Sequence, residues 1–177
     1  IRRMFEEGAE LKRIHGPENV YDFSLGNPNL PPPPRFRDVL RELVDGDRDD
    51  SHAYMPNTGY PSACAAVARF VGREQGLALE GTDVILTCGA AGALNIAFKA
   101  LLDPGDEVLT PVPCFVEYGF YADNHGGVLR TVPSRPDFQL DLEAMAAAIG
   151  PRTKIVLVNS PNNPTGAVYG AESLKAL

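Results

Sequence analysis

Hydrophobic positions along this chain follow a helical period in some stretches and run together in others, and the switches mark its elements. Over residues 1–15, Met4, Leu11 and Ile14 fall on one side of a polar stretch, which predicts an amphipathic helix. A short strand is expected around residues 21–23, leading to Gly26-Asn27-Pro28. Pro31-Pro32-Pro33-Pro34 must then be extended. A helix is expected from about 36 to 44, and the charged stretch 45–50 reads as a boundary. Pro61 suits the first residue of a helix that runs to Gly76.

From Asp83 onward the pattern alternates. A strand at 84–87 leads into a helix at 91–102, with Leu94, Phe98 and Leu101 at helical spacing. Strands are also expected at 107–110, 128–132 and 154–158, separated by helices at 116–124 and 141–149. Strands alternating with helices predict an α/β fold with a doubly wound, mainly parallel sheet. No internal repeat and no low-complexity tract other than the four prolines interrupts this order.

Composition narrows the function. The 177 residues are 44% hydrophobic and 22% charged, as in an ordinary globular protein. A net charge of −7 argues against a general nucleic-acid or anionic-membrane surface. No apolar stretch approaches the roughly 20 residues needed to span a bilayer, and no signal-peptide pattern opens the chain. Three cysteines, Cys64, Cys88 and Cys114, lack metal-like spacing and fit a reducing cytoplasm better than a disulfide framework. His15, His52 and His125 are scattered without a Cys partner at zinc spacing, so no metal site is expected.

Two turns carry chemistry. Asn159-Ser160-Pro161-Asn162-Asn163-Pro164-Thr165-Gly166 follows the apolar strand at 154–158, at the end of an α/β sheet where ligands bind. Asn amides donate and accept hydrogen bonds, and the prolines hold the backbone that aims them. On composition alone the run reads equally as an ordinary strand-exit turn. Gly89-Ala90-Ala91-Gly92 joins a strand to a helix with no side chain larger than a methyl. Such a turn lets a phosphate approach backbone amides at a helix N-terminus, or simply packs the helix start against the sheet. It is not a Walker loop, because no Lys-Ser/Thr follows.

Six motifs in order resemble the class I/II aminotransferases, fold-type-I enzymes that use pyridoxal 5′-phosphate (PLP). They are Leu25-Gly26-Asn27-Pro28, Tyr54-Met55-Pro56-Asn57-Thr58-Gly59, Thr87-Cys88-Gly89-Ala90-Ala91-Gly92, Leu102-Asp103-Pro104-Gly105-Asp106-Glu107-Val108, Pro113-Cys114-Phe115 and Ser160-Pro161-Asn162-Asn163-Pro164-Thr165-Gly166. The resemblance implies a small-domain segment at 1–45 and the first part of a PLP-binding large domain at 46–177. It implies that Gly89, Ala90 and Ala91 bind the PLP phosphate, with Ala90 and Ala91 doing so through backbone amides, that Phe115 stacks on the pyridine ring, and that Asn163 bonds the phenolic oxygen. Asn159 and Asn162 then brace the loop, and Tyr118 is structural, though near enough in sequence to line the pocket. Gly26 matches a position beside the substrate carboxylate. Tyr54 matches a tyrosine that reaches the phosphate of the neighbouring subunit, which makes a homodimer the expected assembly. Cis peptides are implied at Val112-Pro113 and Asn163-Pro164.

The chain departs from the pattern at several places. Many members place a hydroxyl or Lys at the Ala91 position, which leaves dicarboxylate specificity open. Ala63-Cys64 stand where Leu-Arg is usual. The resemblance places the Schiff-base Lys, the Asp partner of the pyridinium and the carboxylate-binding Arg beyond Leu177, so no catalytic residue is expected within the chain, which looks like the front portion of an enzyme. Lys175, after Ser173-Leu174, only imitates an active-site pattern and reads as a solvated helix residue. The implied activity is transfer of an amino group between an amino acid and a 2-oxo acid. A lyase or decarboxylase of the same fold, or a non-catalytic regulator with an aminotransferase-like domain, are the alternatives.

Overall fold

The computed structural model of the chain describes residues 2–23, 26, 30–46 and 52–177. The turn expected at Asn27-Pro28 and most of the boundary expected at 45–50 lie outside the described residues. The chain forms two compact units, Ile1–Tyr54 and Met55–Leu177.

In the first unit, α1 (Arg2–His15) carries ion pairs Arg3–Glu7 and Glu10–Arg13 at helical spacing, with basic residues in its last turn facing the negative end of the helix dipole. Gly16, at φ +84°, closes it before Pro17. The strand expected at 21–23 is not formed. This stretch joins no ladder among the described residues, and Asp22 instead pairs with Lys12 on α1 at 2.7 Å. Without a partner strand the segment gains no ladder hydrogen bonds, and the ion pair ties it to α1. The helix expected from 36 is α2 (Pro34–Asp45), which begins two residues earlier because Pro34 fits its first turn.

The second unit opens on α3 (Pro61–Gln75), with Pro61 at its first position and Gly76 in the left-handed conformation as its cap. It continues through α4 (Gly89–Leu101), β1 (Glu107–Val112), α5 (Tyr118–Asp123), β2 (Val128–Pro133), α6 (Leu142–Ala148), β3 (Thr153–Val156) and α7 (Ala171–Lys175). The three strands form one parallel sheet in the order β2-β1-β3. Successive strand residues point to opposite faces. Val108 accordingly packs with Phe98, Leu102, Tyr118, Tyr121 and Ala122, while Leu109 packs with Val132, Leu140, Met145 and Tyr169. Both faces of β1 are therefore buried, the doubly wound arrangement that the alternating pattern predicts.

The strand expected at 84–87 is a second correction. The segment starts extended at Val84 but belongs to no ladder among the described residues. The Leu86 amide donates to the Thr58 carbonyl at 2.9 Å, so this edge is tied to the loop before α3. Gly59 in that loop needs its φ of +107°, and a Cβ there would stand 2.9 Å from Leu86 Cδ1. At its start, α6 is capped by Asp141, whose Oδ1 accepts from the Ala144 amide at 2.9 Å.

A polar clamp closes the amino-terminal end of the sheet. Glu107 on β1 meets Arg130 of β2 at 3.1 Å, Arg152 before β3 at 3.9 Å and the Thr153 hydroxyl at 3.3 Å. Its side chain is only 12% exposed, although both arginines are largely solvated. Glu107→Ala is expected to destabilise the unit by about 1–2 kcal/mol, with a smaller loss at high salt, as read from urea unfolding.

Candidate functional site

Three segments meet at the other end of the sheet. The first is the start of α4. A short turn joins the last residue of α4 to the first of β1, and the helix packs on β1 through Phe98, so its beginning lies toward the carboxyl end of the strand. Gly89 opens α4 at φ +73°, with no atom within 4 Å of the place a Cβ would take. The helix begins here, not at Ala91 as expected, so Ala90 and Ala91 lie inside its first turn. Cys88 gives no side-chain cap, and the Thr87 hydroxyl donates to the Gly89 carbonyl at 2.8 Å instead of accepting from an amide. First-turn amides have no partner within a helix. Those of Ala90 and Ala91, on exposed residues with methyl side chains, can hold an anion at the positive end of the dipole. One turn on, the Asn95 amide donates to the Ala91 carbonyl at 2.9 Å.

The second segment leaves β1. Val112-Pro113 is cis, as implied. Phe115 is partly buried against the same cluster as Leu94 of α4 and Leu157 beyond β3. Its ring meets the buried Tyr118 edge to face, with centroids 5.6 Å apart at 76°. Burial pushes the Cys114 thiol above its ordinary range, so it remains protonated at neutral pH and is no thiolate nucleophile. Burial, followed by the proximity of Cys114 and Tyr169, also raises the Tyr118 phenol. Tyr121 donates to the Glu117 carboxylate, which pushes that phenol up as well.

The third segment leaves β3, which ends at Val156, two residues earlier than expected. The Leu157 carbonyl is taken by the Thr110 hydroxyl at 2.9 Å, and the chain then turns into the loop 159–166. Asn163-Pro164 is cis, as implied, and Ser160-Pro161 is cis as well. The loop is held by its own polar groups. Asn159 donates to the Pro161 carbonyl at 2.8 Å, the Tyr169 amide to Ser160 Oγ at 3.0 Å, and the Ala167 amide to Thr165 Oγ1 at 3.2 Å. Asn162 is buried and bonded, while Asn163 stands exposed, with no hydrogen bond on its side-chain amide among the described residues.

The structure thus gathers Gly89, Ala90, Ala91, Phe115 and Asn163 at one end of the sheet. Gly26 and Tyr54, both exposed, belong to the other compact unit. The reach of Asn162 to the Pro113 carbonyl, the Asn95 bond within α4 and the edge-on support of Phe115 by Tyr118 were not legible in the sequence. Only the doubled Asn of the loop signalled that one amide could brace while the other faced outward. Among the described residues, no group of His, Cys, Asp and Glu could hold a metal ion.

An open parallel sheet with an uncapped helix start, an aromatic ring and a proline-fixed Asn loop at its carboxyl end has the arrangement in which open α/β domains place ligands. Comparison with known proteins sharpens this. Residues 18–177 match the family described as aminotransferase class I and II. The aspartate aminotransferase of Geobacillus stearothermophilus is 36% identical over 174 residues, covering 97% of this chain and 43% of that protein. The aspartate/prephenate aminotransferase of Thermus thermophilus is 40% identical over 156 residues, covering 87% and 40%. A crystal structure of an aminotransferase from Eubacterium rectale superposes with a TM-score of 0.92 at 39% identity, covering 98% of this chain and 44% of that one. The chain belongs to the class I and II aminotransferases, a PLP-dependent family, and spans about two-fifths of the length of these relatives.

Proposed function

We propose that this chain is the cofactor-orienting part of an aminotransferase that moves an amino group between an amino acid and a 2-oxo acid. The observation that carries this reading is the gathering of uncapped α4 amides, the Phe115 ring and the outward Asn163 amide at one end of the sheet. These groups fit PLP: the amides match its phosphate, the ring its pyridine face, and Asn163 a phenolic oxygen. When bound, PLP supplies an electron sink for cleavage beside the substrate nitrogen.

The chain's own residues bind and orient. Gly89, Ala90 and Ala91 would hold the phosphate, Phe115 would fix the ring plane, and Asn163 would donate to the phenolic oxygen and tune its charge. Gly26, lacking a Cβ, would let the backbone approach the substrate carboxylate. No proton transfer is assigned to a residue within 1–177. We assign residues 1–45 to a small domain and 46–177 to the large one. The free thiols of Cys64, Cys88 and Cys114 support a cytoplasmic location. No helix among the described residues is long and apolar enough to cross a membrane.

The relatives' names favour amino transfer over the lyase, decarboxylase and regulator readings, and put aspartate first among donors to try. The test is a transamination screen of the full-length protein with PLP against a panel of amino acids and 2-oxo acids. Production of a 2-oxo acid from at least one donor is expected, and inactivity with every pair would overturn the reading.

We further propose a homodimer with shared sites, in which the fully exposed Tyr54 donates to the phosphate held by the partner. A hydroxyl-to-anion bond is worth about 1.5–3 kcal/mol. Tyr54→Phe in the full-length dimer should therefore weaken PLP retention about tenfold or more. Equal dissociation rates at equal occupancy would remove the basis for sharing.

A further inference from the structure

We infer that Asn162 is a positioning residue whose side-chain amide latches the loop 159–166 to the loop after β1, and so sets Asn163 in register with Phe115. The inference rests on the PLP reading of the site and goes beyond it by naming what holds its two faces together.

Asn162 is 7% exposed and spends its hydrogen-bonding groups in two directions. Three bonds stay within its own stretch of chain. Its amide N–H donates to the Ala167 carbonyl at 2.8 Å, its carbonyl accepts from Gly166 at 2.7 Å, and its Nδ2 donates to Thr165 Oγ1 at 2.9 Å. The fourth crosses to another segment, from Nδ2 to the Pro113 carbonyl at 3.0 Å. A carbonyl oxygen can only accept, so the bond depends on the Asn162 donor. The residue after Asn162 is the outward Asn163, and Phe115 follows Pro113 by two. One buried amide therefore ties the backbone next to the phenolic-oxygen donor to the backbone next to the stacking ring. Asn159 donates within its own loop, to the Pro161 carbonyl. The Thr110–Leu157 bond also joins β1 to the stretch after β3, but from within the strand and not from the loop that carries Asn163.

A latch of this kind predicts a change in the electronic environment of the cofactor, which a loss of stability alone would not produce. The experiment uses full-length protein loaded with PLP and compares wild type, Asn162→Asp, Asn162→Ala and Thr110→Val. It reads the bound-cofactor absorbance against pH, the PLP dissociation rate and the unfolding midpoint. Asn162→Asp keeps the shape and removes both donors, facing a carboxylate to the Pro113 carbonyl. Both Asn162 variants are expected to move the pH midpoint of the absorbance by about one pH unit and to speed PLP loss about tenfold. Thr110→Val is expected to lower the unfolding midpoint while leaving absorbance and dissociation as in wild type.

Asn162 variants that titrate and hold PLP like wild type overturn the latch, as does Thr110→Val moving the absorbance equally. Wild type without bound PLP would overturn the cofactor reading itself, and this inference with it. Should neither Asn162 variant fold, a crystal structure of the PLP-loaded wild type decides. Asn162 Nδ2 within about 3.2 Å of the Pro113 carbonyl, with Asn163 and Phe115 both on the cofactor, is expected, and a separation beyond about 4 Å overturns it.

Discussion

Borohydride added to the 177-residue chain with PLP is expected to fix the cofactor on none of its four lysines at stoichiometric yield. Lys12 and Lys175 are already paired with carboxylates, and Lys99 and Lys154 lie away from the proposed site. Lys12 is paired with Asp22 at 2.7 Å in the unit Ile1–Tyr54. Lys175 is exposed on α7, bonded to Glu172 at 3.1 Å. Lys99 is exposed in the last turn of α4, about 12 Å along the helix from Ala91. Lys154 sits near the start of β3, roughly 16 Å of strand before Asn159 and so toward the opposite end of the sheet. Peptide mass spectrometry after reduction checks this. One lysine carrying close to one equivalent of pyridoxyl group would mean that the site lies elsewhere.

Ala91→Asp is expected to lower PLP affinity of the full-length protein about a hundredfold while slightly stabilising α4. The two effects have opposite signs because they respond to the same positive helix end. A carboxylate in an uncapped first turn is worth about 0.3–1 kcal/mol to the helix. The same charge about 5 Å from a phosphate dianion, at an effective dielectric constant near 20, costs several kcal/mol before screening. The balance falls strongly against binding. Equilibrium dialysis of PLP, beside thermal unfolding of the PLP-free protein, separates the two. Unchanged affinity would remove the phosphate from the Gly89–Ala91 turn.

Local signals made most of the large unit legible, and non-local ones account for what was missed. Pro61 and Gly76 bracket α3 because each fixes a backbone conformation that its own residue type favours. The run around Val108 and Leu109 reads as a strand because both faces of β1 are covered. The segment 84–87 has equally strand-like residues, but a ladder needs a neighbour. Its Leu86 amide went to Thr58 instead, a contact that no window of sequence around 84–87 contains. Residues 21–23 failed for a similar reason, since Asp22 found Lys12. At the site, Gly89-Ala90-Ala91 and the Asn-Pro loop announce themselves by residue type. The bond that joins Asn162 to Pro113 spans 49 residues and leaves no local trace.

The clamp on Glu107 and the gathered loops lie at opposite ends of the same strand. Selection can therefore act on them as separate compartments. Substitutions around Glu107, Arg130 and Arg152 can raise or lower the melting point of the sheet with the ligand end left alone. Changes at the exposed Gly89–Ala91 turn or at Asn163 can retune recognition without first loosening the frame. A lineage adapting to a hotter habitat and one adapting to a new substrate would record their histories at different ends of β1.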